Sequence, residues 1–177
     1  MKALPFLLAS VLLFTQTVAA RAQTASAGRQ DVFRLSAGVL GSGDTLGYGS
    51  RKMLGVGAFV DGDSTSHVGI EAEGRWIEFH QRANVHAETY SIGGRYHFVF
   101  GRLEPYAKGL AGFANFTFPY NYAQGRYLVV TAGGGADYRL TRRISFRAEA
   151  EYQDWPGFTF GSMTSLNGSV GLKVGIF

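Results

Sequence analysis

The chain has 177 residues, of which 46% are apolar and 17% charged, with 25 Gly, 4 Pro, no Cys and a formal net charge of +4. That size and balance fit one domain and exclude a low-complexity or disordered chain. The missing cysteine excludes a disulfide scaffold, thiolate zinc sites, iron–sulfur clusters and a cysteine nucleophile. Abundant glycine with 14% aromatics points to curved all-β structure, where Gly relieves crowding and aromatics fill sheet faces.

The amino terminus reads as an export signal. Met1-Lys2 give a basic start, Leu4 to Val18 an apolar core, and Ala20-Arg21-Ala22 a small-x-small cleavage site. The core is short of the ~20 residues of a spanning helix. The sequence therefore predicts a removed signal peptide over 1–22, a short segment over 23–30 and one domain over 31–177. Residues 1–22 carry Lys2 and Arg21 but no acid, so the mature charge falls from +4 to +2. No basic cluster remains to track a phosphate backbone, which removes nucleic acid as a partner. No later stretch approaches the ~18 uninterrupted apolar residues of a transmembrane helix.

Beyond the signal the polarity pattern has period two. Phe33, Leu35, Ala37 and Val39 mark a first strand over Val32 to Val39. Leu54, Val56, Ala58 and Val60 mark a second, ended by the turn-forming Asp61-Gly62-Asp63-Ser64. The third sets Val68, Ile70, Ala72, Gly74 and Trp76 against Gly69, Glu71, Glu73, Arg75 and Ile77. The fourth, Ala87 to Phe98, opposes Tyr90, Ile92, Gly94, Tyr96 and Phe98 to Thr89, Ser91, Gly93, Arg95 and His97. The fifth, Tyr106 to Asn115, is apolar on both faces, and Lys108 alone suggests which face is inward. The sixth, Tyr127 to Leu140, opposes Val130, Ala132, Gly134, Ala136, Tyr138 and Leu140 to Thr131, Gly133, Gly135, Asp137 and Arg139. The seventh sets Ile144, Phe146, Ala148, Ala150 and Tyr152 against Ser145, Arg147, Glu149 and Glu151. The eighth, Leu166 to Phe177, sets Leu166, Val170, Leu172, Val174 and Ile176 against Asn167, Ser169, Gly171, Lys173 and Gly175.

Strands of this length suit a tilted membrane crossing, and an even number of them closes most simply as an eight-stranded antiparallel up-and-down transmembrane β-barrel. Short connections are expected near 61–66, 99–104 and 140–143, and longer ones, facing outward from the cell, near 41–52, 79–86, 115–126 and 153–164. The charged face then belongs to the lumen. Glu71, Glu73, Asp137, Glu149 and Glu151 nearly balance Arg75, Arg95, Lys108, Arg139, Arg147 and Lys173, so an ion-pair network is expected inside. On the lipid face each Arg or Lys near the midplane would cost roughly 2–4 kcal/mol. Aromatics gather at strand ends in two girdles. Trp76, Tyr90 and Tyr152, with Phe79, Phe113, Phe116 and Trp155, lie toward the long connections. Tyr96, Phe98, Tyr138 and Phe146, with Phe100 and Tyr106, lie toward the short turns.

These residues resemble the small outer-membrane β-barrel family, of the OmpA transmembrane-domain and OmpX type. The likeness is carried by Phe33-Arg34-Leu35-Ser36-Ala37-Gly38, Tyr90 to Phe98, Gly134 to Leu140, Ile144 to Tyr152 and the terminal Phe177. It implies an outer-membrane location in a Gram-negative-type cell after Sec export, with lipid and lipopolysaccharide as surroundings. It also implies a terminal assembly signal, Phe177, read by the barrel assembly machinery. One departure stands out: the family pattern is apolar at alternate positions counted back from the last residue, where this chain has Gly175 and Lys173. A bulge near Gly175 would restore the phase.

Chemistry is scarce. His67, His80, His86 and His97 have no second His or Cys at metal-ligand spacing, so neither a metal nor a cofactor is expected. Glu149 and Glu151 share a strand face by period two alone, which suits ion pairing better than acid–base catalysis. Gly133-Gly134-Gly135 lacks the Lys-Ser/Thr of a phosphate loop. Lipid A enzymes of this architecture carry, by resemblance, a His-x-Ser pair; the residues two beyond each histidine here are Gly69, Arg82, Glu88 and Val99. The expectation is a non-enzymatic barrel with a structural or surface-interaction role, for which Phe116 to Tyr122 offers an aromatic contact segment. A narrow, porin-like channel and a soluble lipocalin-like carrier of an apolar ligand are the alternatives.

Overall fold

The computed structural model describes residues 33–46, 51–64, 67–79, 85–117, 124–158 and 161–176. The chain divides into two units, Met1–Asp31 and Val32–Phe177. Every described residue belongs to the second, so the expected signal peptide lies outside them.

The eight strands are β1 (Arg34–Leu46), β2 (Arg51–Asp63), β3 (Val68–Phe79), β4 (Val85–His97), β5 (Leu103–Thr117), β6 (Gln124–Arg139), β7 (Ile144–Phe158) and β8 (Gly161–Gly175). Each pairs antiparallel with the next, and β1 pairs with β8, for example Ala37 with Val174, closing the sheet into a barrel. Closure leaves no strand edge, the condition for a sheet in lipid, where unpaired backbone groups find no water.

The strands outrun their expected limits at one end. β1 continues from Val39 to Leu46, β2 begins at Arg51, β5 reaches Thr117 and β7 reaches Phe158. The expected long connections thus shrink to 47–50, 80–84, 118–123 and 159–160, the end called here the mouth. The period-two pattern persists into these segments, with Gly and polar residues taking strand positions that composition alone assigns to loops. At the other end, the base, the turns are short. Gly101 adopts a φ of 63° in the two-residue turn between Phe100 and Leu103, supplying the positive φ that a tight hairpin in a twisted sheet requires. Thr141 Oγ1 accepts the Ile144 N–H at 3.0 Å in the turn before β7.

The outer surface carries Val39, Leu54, Val56, Ile70, Ile92, Leu128, Leu166 and Val170, all more than half exposed. An apolar belt of this kind is unsuited to water and suited to hydrocarbon. In β8 the pairing with β1 runs to Gly175 without a register shift, and the irregularity with β7 falls between Trp155 and Phe158. No bulge restores the family phase up to Gly175: Lys173 faces inward and Leu172 and Val174 outward. Phe177 lies outside the described residues.

Candidate functional site

The site is the lumen. Alternation delivers every second side chain of all eight strands into an interior that eight strands leave just wide enough to fill. Two layers result. Near the mouth, Met53, Ile77, Ala87, Ala114, Phe116, Val129, Trp155 and Met163 form an apolar cluster with Tyr127 packed against it. Below it, toward the base, lies a polar layer of buried charge.

Arg147 anchors the lower part of that layer. Its Nη2 donates to Asp61 Oδ2 at 2.6 Å, its Nη1 to Glu71 Oε2 at 3.0 Å and its Nε to Asp137 Oδ1 at 2.7 Å. Arg95 joins from β4, donating to the same Asp61 oxygen at 2.5 Å, and Lys173 Nζ reaches Asp137 Oδ2 at 2.9 Å. Above them, Lys108 Nζ sits among Glu71, Glu73 and Glu149 at 2.7, 2.8 and 3.0 Å, and also pairs with Glu151. Arg75 pairs with Glu73, with Glu149 at 2.6 Å and with Glu151 at 2.9 Å, and donates to Asn167 Oδ1 at 2.6 Å. The Tyr106 hydroxyl donates to Glu149 at 2.6 Å, and the Arg147 guanidinium lies 3.8 Å over the Phe59 ring. Desolvating such ions costs several kcal/mol each, so the layer is tolerable only because each charge meets several partners.

Room for the long side chains comes from small inward residues. Gly38 lies directly opposite Phe59, and a Cβ there would collide with the Phe59 ring and with the Leu172 carbonyl oxygen. Gly135 fits against Glu149 in the same way, with no space for a Cβ beside the Ala148 carbonyl oxygen.

Of the residues expected in the lumen network, Glu71, Glu73, Arg75, Arg95, Lys108, Asp137, Arg147, Glu149, Glu151 and Lys173 are brought together and buried. Arg139 is not. As the last residue of β6 it sits at the base rim, its side chain 42% exposed, and its one described ion pair is a 3.8 Å contact with Glu104. Sequence reasoning missed Asp61 and Asp63, which turn chemistry assigns to a connection although they continue the inward parity of Phe59. It also missed Glu104 and Asp44, beyond the expected strand limits, and gave no role to Asn167 although its parity is inward. Among the described residues the expected near balance of charge changes accordingly: nine acids and five Arg or Lys are buried.

On the outer face Trp76, Tyr90 and Tyr152 lie toward the mouth and Tyr96, Phe98, Tyr138 and Phe146 toward the base. Trp76 Nε1 donates to the Tyr90 hydroxyl at 3.0 Å, and the Tyr96 and Phe98 rings meet edge to face at 5.0 Å. Three aromatics expected on or beside that face point inward instead: Phe116 and Trp155 are 1% exposed and Tyr106 5%. Each shares the parity of an inward charge on its own strand, Lys108 for Phe116 and Tyr106 and Glu151 for Trp155. Of the aromatic segment 116–122, Phe116 fills the lumen and 118–122 fall outside the described residues.

Among curated proteins no sequence matches significantly. Solved structures do. Neisserial surface protein A (NspA) superposes with a TM-score of 0.62 at 11% identity, over 80% of this chain and 96% of that one. The N-terminal β-barrel domain of Pseudomonas aeruginosa OprF gives 0.51 at 21% identity, over 80% and 99%. The outer membrane enzyme PagL gives 0.54 at 17% identity, over 77% and 98%. At these identities the likeness is one of fold, shared by an enzyme and by proteins not named as such. The model of the outer membrane protein β-barrel domain matches residues 6–174, and with a closed eight-stranded barrel bearing an apolar belt, the chain belongs to that family and resides in the outer membrane of a Gram-negative-type bacterium.

Proposed function

We propose that this barrel is a closed, non-enzymatic element of the outer membrane, structural in its body and open to interaction at its mouth. The observation that carries the reading is the burial of the lumen's whole cross-section. Arg75, Arg147, Glu71 and Asp61 are all 0% exposed, and Trp155 and Phe116 close the space above them at 1%. A solute would have to break a layer in which each cation holds several carboxylates, which disfavours the channel reading. The same ion pairs serve as a rigid core, the aromatic rows as interfacial anchors in lipid and lipopolysaccharide, and Phe177 as the assembly signal, with residues 1–22 removed on export. With the base turned to the periplasm, the mouth ends of the strands face the cell exterior.

The test is conductance in planar bilayers, run beside gel mobility of boiled and unboiled samples. Barrels whose mobility shifts on heating and which pass no steady current support the closed reading. A stable ohmic conductance from the same sample overturns it and assigns a channel. A deletion strain complemented by a barrel with 118–123 replaced by a short Gly-Ser turn separates the two roles. Restored envelope integrity places the function in the body, and failure with normal assembly places it at the mouth.

A further inference from the structure

Glu71, Glu73 and Glu149 each bring one carboxylate oxygen within 4.8 Å of the others, and so do Asp63, His97 and Glu104 through a carboxylate oxygen or a ring nitrogen. The first trio encloses a cation of the protein's own, the Lys108 ammonium, within 3.0 Å of all three carboxylates. The second does not. Arg34 Nη2 reaches Glu104 at 3.1 Å, Arg139 reaches Glu104 at 3.8 Å, and Arg95 and Lys173 reach Asp63 at 3.5 and 3.6 Å. Among the described residues none of these cations pairs with both acids.

One further observation bears on this trio. His97 is 2% and Asp63 1% exposed, yet His97 Nδ1 and Asp63 Oδ1 face one another 3.5 Å apart and neither makes a hydrogen bond. Buried polar atoms normally find a partner.

We propose that Asp63, His97 and Glu104 form a binding site for a divalent transition-metal ion of the zinc class at the base of the barrel. The imidazole nitrogen selects for zinc-like ions over Mg²⁺ and Ca²⁺, which prefer all-oxygen shells. Three protein donors suit a tetrahedral ion whose fourth position is water. The way in is a cleft of about 560 Å³ at the base, which Asp63 and Glu104 line beside basic side chains that include Arg142 and Arg143. Arg34 is the group the ion displaces from Glu104; it starts β1 and its side chain is 38% exposed, so it can swing into solvent. The bound ion ties the ends of β2, β4 and β5 together.

The experiment is titration calorimetry with Zn²⁺, and with Mg²⁺ as the control, on the chain extracted from outer membranes in detergent and stripped with chelator. Each sample is first checked for its heat-dependent gel shift. The expected result is one saturable Zn²⁺ site, no Mg²⁺ site, loss of the Zn²⁺ site in His97→Gln and tighter binding in Arg34→Gln, where the competing guanidinium is gone. Folded wild type with no saturable Zn²⁺ binding overturns the proposal, leaving His97 and Asp63 as a long direct contact. Binding that survives in folded His97→Gln also overturns it, by placing the ion elsewhere. If His97→Gln does not fold, Arg34→Gln decides: unchanged or weaker affinity counts against this site.

Discussion

Arg147 and Asp137 face each other across the β6–β7 pairing with both ends of the fork engaged, Nε donating to Oδ1 at 2.7 Å and Nη2 to Oδ2 at 2.9 Å. A bidentate pair fixes geometry as well as charge, and here it fixes the register of two strands from inside the barrel.

That pairing makes a first prediction. Arg147→Met leaves Asp61, Glu71 and Asp137 short of a shared partner in a site from which water is excluded. Breaking one side of a buried pair costs about 3–5 kcal/mol, and unfolding in urea from lipid vesicles is expected to show at least that loss. The double variant Arg147→Met with Asp137→Leu is expected to lose less than the two singles together, because the second change removes a stranded charge. Additive losses would show that the pair is not coupled.

How much of this was legible in the sequence depends on parity. Where one face is charged, as over Glu71, Glu73 and Arg75 or over Arg147, Glu149 and Glu151, period two places the lumen residues without a structure, and Lys108 does so for β5 although both faces of that strand are apolar. Asp61 and Asp63 keep the same parity, but Asp and Gly favour turns locally, and that preference competes with a pattern only one residue type deep. Trp155 was hidden for the converse reason: a large aromatic near a strand end fits an interfacial girdle as well as a lumen cap. The convergence of Asp63, His97 and Glu104 has no signature along the chain, since three strands each supply one residue and only barrel closure brings them together.

The lipid-facing belt gives a prediction about depth. On β7 the aromatics Phe146 and Tyr152 bracket Ala148 and Ala150, and Val170 on β8 lies directly opposite Ala148, more than half exposed. Val170→Arg is expected to cost about 2–4 kcal/mol in vesicles, and Leu140→Arg, beyond the Tyr138 end of the belt, about 0–1 kcal/mol. Equal costs at the two sites would mean that the belt is not centred between the aromatic rows.

Gly38 and Gly43 lie on opposite faces of the same strand and separate close packing from mere smallness. A Cβ at Gly38 would run into the Phe59 ring, whereas one at Gly43 would meet nothing within 4 Å. Gly38→Val is expected to displace Phe59 from the Arg147 guanidinium and cost about 1–3 kcal/mol, as overpacking does. Gly43→Ala, in extended backbone that alanine adopts freely, is expected to be neutral or to stabilise by up to about 1 kcal/mol. Paired urea melts in the same detergent measure both, and a neutral Gly38→Val would show that the Phe59 ring and the Leu172 carbonyl oxygen can both give way.

The two-layer lumen allows stability and permeability to be tested separately. Trp155 packs edge to face on Phe116 with ring centroids 6.2 Å apart, and both belong to the apolar cluster near the mouth. Trp155→Ala removes the largest side chain of that cluster and is expected to cost about 3–5 kcal/mol through the cavity it leaves. It is not expected to open a pore, because Lys108, Arg75 and their carboxylates still span the barrel beneath it. Bilayer recordings of Trp155→Ala should therefore match wild type, while a variant that also carries Arg75→Ala and Glu149→Ala should begin to leak, as a cation that holds three carboxylates and one of those partners are gone. Current through Trp155→Ala alone would mean that the apolar cap, rather than the ionic layer, is what seals the lumen.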